Sequence, residues 1–405
     1  MVGTDWAECS AGLADLLEQE AVAAEELRRL TPAVLDAAGA AGLFSMVVPA
    51  TWGGADADLR ALVDVTRTLA RGCPASAWTL SFLIMHNWLL TRFPQQLQAD
   101  VFGTAPGYGL VAAPLAPTGT ARTATGPNGE AGWVVTGRWE WATGVRHADR
   151  VMVTCVEERD DALALRFCVL PIGQVAVEDV WFTSGMCATG SDTVVVDEVF
   201  VADHATLPAE RLLEAPVASD AHAAGSGPAG SGPAGSGLAG LPVMAVLALV
   251  AAAPAVGAAE RAVNEYRERL RGRVLAYTFG DKAAEQPAAQ VRLGTALADL
   301  RAARSALDGA VDLLTDPSGC TGILDAATRI AVRLAAADAV RRSVAVISDV
   351  CAGSGASVYR SDAVLQRLQR DVEVLKGHVM FDWDRTAELA GRIELGLPLR
   401  PADRI

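Results

Sequence analysis

Apolar positions along this chain recur with two different spacings. Over residues 8–105 they return every three or four positions, the period of one helix face. "LADLLEQEAVAAEELRRL" keeps that rhythm and stops before Thr31-Pro32, a capping residue and first-turn proline that predict a new helix start. "PAVLDAAGAAGLFSMVVPATWGG" predicts a helix, an apolar segment and a turn, and "DLRALVDVTRTLARG" a further helix. "PASAWTLSFLIMHNWLLTRF" predicts another, with Trp78, Phe82, Met85 and Leu89 on one stripe. Between about 107 and 210 the period falls to two. "GWVVTGRWEWATG", "RVMVTCVEE", "ALALRFCVLPI", "VAVEDVWF" and "TVVVDEVFV" predict short strands ended by Gly, Pro and Asp, in a small barrel or sandwich. From 241 onward long helices return.

These changes divide the chain into a helical domain at 1–106, a β domain at 107–210, a flexible segment at 211–240 and a helical bundle at 241–405. Helices, then strands, then helices is not the alternation of a doubly wound sheet. The segment "APVASDAHAAGSGPAGSGPAGSGLAG" cannot bury apolar surface. It contains G-x-G-x-x-G at Gly225–Gly230 and Gly230–Gly235. A dinucleotide fingerprint must follow a strand and open a helix, and here a proline sits inside each match. Leu241–Ala259 carries no charge, but it is alanine-rich and interrupted by Pro254 and Gly257. That is the pattern of a buried core helix and not of a membrane span.

Charge and cysteine content narrow the picture. A formal net charge of −14 argues against nucleic acid and anionic membrane partners, which need basic patches. Seven scattered cysteines with no C-x-x-C suggest neither a disulfide framework nor a zinc site, and no metal is expected. The acidic start "MVGTDWAECS" has no signal-peptide pattern, so a cytoplasmic protein with reduced thiols is expected.

Four stretches carry a family resemblance: "AAGLFSMVVPATWGG", "GRWEWATGVRHAD", "GMCATGSDTVVVDEVFV" and "LQRLQRDVEVLKGH". In this order and spacing they resemble the acyl-CoA dehydrogenase superfamily, and within it the oxygenase components of two-component flavin-dependent monooxygenases. The resemblance implies an α+β fold, with N-terminal helices, a central β domain and a C-terminal four-helix bundle that builds a homotetramer. It also places Trp141 and Thr143 against the flavin ring, with Thr143 near N5. Thr189 and Ser191 follow as further polar contacts, and Thr120 as a contact from the "APLAPTGTA" loop.

Two departures separate the oxygenase from the dehydrogenase branch. In many dehydrogenases a glutamate base follows the last-helix R-D by about nine residues; here Arg370-Asp371 is followed by Val379 near that place. The arginine of the dehydrogenase R-x-x-F-G, which grips the FAD pyrophosphate, is Ala276 here, with Arg273 a turn earlier. Both FMN and FAD therefore stay open as cofactor.

The oxygenase reading implies reduced flavin (FMNH2 or FADH2), delivered by a separate NAD(P)H:flavin reductase, and O2 reacting through a C4a-hydroperoxide. Water must be kept out and N5 hydrogen-bonded. The substrate would be an aromatic small molecule of phenolic or polyketide type from secondary metabolism, activated by a histidine, whose pKa lies near ~6.5. Of five histidines, His378 in the last helix and His86 one turn from Phe82 are the catalytic candidates. His147 is expected in a solvated loop, and His204 and His222 at the surface. A flavin dehydrogenase or oxidase, an amine N-hydroxylase and a non-catalytic relative remain as alternatives.

Overall fold

The computed structural model describes residues 5–158, 164–213, 237–275, 279–316, 325–400 and 403. Six helices come first: α1 (Trp6–Gln19), α2 (Ala21–Leu27), α3 (Pro32–Ala40), α4 (Leu59–Ala70), α5 (Pro74–Leu90) and α6 (Gln95–Phe102). Helix α3 starts where Thr31-Pro32 predicts, and Thr31 Oγ1 accepts the Val34 N–H at 3.4 Å. Helix α5 is buried on nearly all sides, because it lies between the other helices and the sheet.

The strands are β1 (Val111–Ala112), β2 (Gly119–Thr125), β3 (Ala131–Ala142), β4 (Arg150–Glu157), β5 (Leu165–Pro171), β6 (Ala176–Glu178), β7 (Asp192–Ala202) and β8 (Thr206–Pro208). They form one mixed sheet in the order β6-β7-β3-β2-β4-β5-β8, with β1 also pairing to β4. The pairing path ends at β6 and β8, and the sheet wraps around a core of its own formed by β3, β4, β5 and β7, in keeping with the expected small barrel or sandwich. Strand alternation explains its double burial. On β4, Val151, Val153 and Cys155 enter the sheet's own core while Met152 enters the helical core. On β5, Cys168 and Leu170 face the first and Phe167 and Val169 the second.

After α7 (Ala209–Leu213), the chain resumes at Gly237, and Leu238 is buried. The repetitive stretch 214–236 lies outside the described residues. The remaining helices are α8 (Val243–Gly272), α9 (Pro287–Thr315), α10 (Ala326–Ser354), α11 (Val364–Leu375) and α12 (Trp383–Glu394). Helix α10 packs against α8, α9, α11 and α12. Helix α8 is long and apolar enough to cross a membrane, yet it is a core helix enclosed by protein. Its Gly257 lets α4 approach, since a Cβ there would sit 2.1 Å from the Arg67 carbonyl oxygen.

Candidate functional site

Helix α5 presents Trp78, Phe82 and His86 four residues apart, so they stack along one face. Their rings touch in sequence, Trp78–Phe82 at 4.8 Å and Phe82–His86 at 5.5 Å between centroids. The row continues onto another segment: His378 meets Trp78 edge-on at 5.4 Å and Phe381 at 5.8 Å.

His378 is not in the last helix, as its sequence suggests. Helix α11 ends at Leu375, Gly377 follows, and His378 caps the short turn Val379–Phe381. Its Nδ1 accepts the Met380 N–H at 3.4 Å, which leaves the ring proton on Nε2. His86 has the opposite tautomer: its Nδ1–H donates to the Val111 carbonyl at 2.6 Å, leaving Nε2 bare. Burial pushes both pKa values down to about 4, so both rings are neutral at pH 7.

A second group meets this row at Trp78. The Trp78 indole N–H donates to Thr143 Oγ1 at 3.4 Å. Thr143 Oγ1 lies 2.9 Å from Ser191 Oγ, which lies 2.8 Å from Thr189 Oγ1. Thr189 Oγ1 donates to the Met186 carbonyl at 2.9 Å. Thr189 and Ser191 are buried, and Thr143 is the half-buried end of the chain.

The loop before β7 is fastened from α11. Asp371 accepts the Met186 N–H at 2.6 Å, and Arg370 donates to the Ser184 carbonyl at 2.7 Å. A Cβ at Gly185 would lie 2.1 Å from the Arg370 carbonyl oxygen. The small residues of "TSGMCATGS" therefore serve both close helix contact and the hydroxyl chain. Asp371 is a participant that its sequence position alone does not disclose. Burial raises its pKa to about 6.

Strand alternation puts Trp139 and Trp141 on one face. A bulge between Trp139 and Ala142 separates them. Trp139 is fully buried and donates to the Thr154 carbonyl at 2.8 Å, while Trp141 is 62% exposed with φ +63°. A left-handed aromatic residue turned to solvent is a strained arrangement of the kind found at ligand sites.

Thr120 is not brought to this cluster. It is exposed on β2 opposite Thr136, about 20 Å of strand from Thr143. Thr118, nearer in the fold, donates to the Arg138 carbonyl at 2.6 Å. His147 is not a solvated loop residue, since its Nε2 accepts the Leu30 N–H at 3.1 Å and burial lowers its pKa to about 4. His204 is half-buried, 3.4 Å from Asp100. His222 and Ala276 lie outside the described residues. Arg273 donates to the Ser354 carbonyl at 2.8 Å, beside Arg269 on the same oxygen. Val379 is exposed where a dehydrogenase would carry its base.

Comparison with known proteins decides the family. The acyl-CoA dehydrogenase N-terminal domain model matches residues 8–101 and the acyl-CoA dehydrogenase C-terminal domain model residues 249–383. The chain is 32% identical to the flavin-dependent monooxygenase oxygenase subunit HsaA of Mycobacterium tuberculosis, over 94% of this chain and 93% of that protein. The chain belongs to the flavin-dependent monooxygenase oxygenase subunits of the acyl-CoA dehydrogenase fold. This monooxygenase family includes the FADH(2)-dependent resorcinol hydroxylase oxygenase component of a Rhizobium species, 30% identical over 96% of this chain and 93% of that one. The structure of XiaF from a Streptomyces species in complex with FADH2 and glycerol superposes with a TM-score of 0.88, at 25% identity, over 99% of this chain and 96% of that one. As a monooxygenase oxygenase component, the chain uses reduced flavin, and its buried carboxylates near the hydroxyl chain have structural partners. Asp371 holds Met186, and Asp192 holds Arg146 and the Val180 and Trp181 N–H groups.

Proposed function

We propose that the protein hydroxylates an aromatic small molecule, with reduced FMN or FAD supplied by a separate NAD(P)H:flavin reductase. The observation that carries this reading is the junction at Trp78, where a row of rings with two neutral histidines meets a hydroxyl chain beside an exposed tryptophan. A flavin suits these residues: Trp141 offers a flat apolar face, and Thr143 offers a polar atom backed by buried Ser191 and Thr189. Bound there, reduced flavin supplies the activation of O2. Thr120 is left out of the set, because it lies far along the sheet.

The protein's own residues divide the remaining work. Trp78, Phe82 and Phe381 exclude water and give a planar substrate apolar contact. The bare Nε2 of His86 can accept a phenolic or amine proton, and the Nε2–H of His378 can donate to an oxygen atom. This assigns the base role to His86 and a donor role to His378. Two relatives are named for phenolic substrates, the resorcinol hydroxylase and the p-hydroxyphenylacetate 3-hydroxylase of Acinetobacter baumannii, which favours a phenol over an amine. Homotetramer assembly belongs to the same reading.

The test is turnover with photoreduced FMN or FAD, 18O2 and a panel of phenols and amines. One 18O atom in a ring hydroxyl is expected. Flavin reoxidation that yields only hydrogen peroxide with every phenol, or label found only on nitrogen, contradicts the reading.

A further inference from the structure

The hydroxyl chain has a direction. Each hydroxyl owns one proton, and two oxygens within 3 Å need a proton between them. The Met186 carbonyl brings none, so the Thr189 proton lies toward Met186 at 2.9 Å. The proton between Thr189 and Ser191, 2.8 Å apart, must then come from Ser191. The proton between Ser191 and Thr143, 2.9 Å apart, must come from Thr143. Thr143 Oγ1 also receives the Trp78 N–H. Its proton is thus directed inward, and what remains for a ligand is a lone pair.

Met186 is held firmly enough to impose this direction. Its N–H is fixed by Asp371 at 2.6 Å, and its carbonyl also receives the Trp181 indole N–H at 3.0 Å. Burial of Thr189 and Ser191 keeps water from supplying a substitute donor or acceptor.

We propose that the Met186 carbonyl sets a one-way hydroxyl chain through Thr189 and Ser191, so that Thr143 presents an acceptor and no donor to the flavin and selects its reduced form. The inference rests on the reading of Thr143 as the flavin contact. Reduced isoalloxazine carries hydrogen on N5 and can donate to that lone pair. Oxidised isoalloxazine has a bare N5, which would face lone pair to lone pair. Thr189 and Ser191 act through Thr143, as positioning residues for redox-state selection.

The experiment measures dissociation constants of FMN and FAD, each oxidised and dithionite-reduced, under anaerobic conditions. Wild type should favour the reduced form. Thr189→Val keeps side-chain shape and removes the acceptor, which frees the Ser191 proton to turn toward Thr143 and the Thr143 proton to turn outward. The reduced-over-oxidised preference should fall by about tenfold or more, the worth of one hydrogen bond. Thr189→Ser should restore it. Should Thr189→Val not fold, Ser191→Ala frees the Thr143 proton directly and should give the same loss. A folded Thr189→Val or Ser191→Ala variant that keeps the wild-type preference overturns the one-way chain. Binding of both forms unchanged by Thr143→Val overturns the flavin contact itself, and the two failures are distinct.

Discussion

The two halves of the candidate site use opposite means to hold their groups. The ring row on α5 and the His378 turn is held by apolar packing, and among the described residues each of its two imidazole rings makes one hydrogen bond. The hydroxyl chain is held almost wholly by hydrogen bonds, anchored to α11 through Asp371. Packing tolerates a ring that shifts to admit a substrate, while a directed chain of hydroxyls tolerates no missing member. The first half therefore suits a variable aromatic guest, and the second suits a cofactor that presents the same atoms every turnover.

Gly185→Ala strikes the second half alone. A methyl 2.1 Å from a backbone oxygen forces the loop off α11, and a loss of about 3 kcal/mol in urea unfolding is expected. The same variant should also lose flavin affinity. Wild-type stability would show that the loop does not depend on that close approach.

Acid strikes the two histidines of the first half, together with His147 outside it. His86, His147 and His378 are held at about 4, below the ordinary 6.5, so the unfolded chain takes up protons that the fold refuses. Their contribution is complete above pH 6.5 and is lost as pH falls toward 4. Asp371 opposes them. Held at about 6 against an ordinary 3.8, its contribution is complete below 3.8 and lost as pH rises through 6. Three protons against one leave stability falling with acid by on the order of 2 kcal/mol per pH unit near pH 5. Urea midpoints at pH 7, 6 and 5 should fall in that order, and Asp371→Asn should steepen the fall. Equal midpoints would mean that the histidines are not enclosed as described.

The smallest effect is expected where neither half is touched. Arg92 stacks on Trp88 and donates to the carbonyls of Leu212 and Leu241, one on each side of the repetitive stretch. With the two ends held there, removal of residues 225–236 should change unfolding free energy by less than about 0.5 kcal/mol. Gly237 should stay, because it packs against Asp56. Loss of soluble protein would show that the stretch contributes to the fold.

Periodicity made the helices and strands legible, and family motifs pointed to Thr143, Thr189 and Ser191. The rest depends on contacts that no local pattern carries. Met186 and Asp371 are 185 residues apart, so their bond has no sequence signature. The bulge that exposes Trp141 breaks the alternation by which its side would be read. His378 left its helix because Gly377 ends the helical path, and Thr120 shares a hydroxyl with the site residues but not their end of the sheet.

Under the proposed function, substrate activation and flavin holding reside in different halves of the site. His86→Gln, which keeps an N–H for the Val111 carbonyl but has no basic nitrogen, separates them when set beside Thr143→Val. For both variants the product-to-hydrogen-peroxide ratio and the reduced-flavin dissociation constant are measured together. His86→Gln should keep the dissociation constant while product formation falls ~10²–10⁴-fold and peroxide rises, whereas Thr143→Val should weaken reduced-flavin binding. A His86→Gln variant with an undiminished product-to-peroxide ratio would contradict that division.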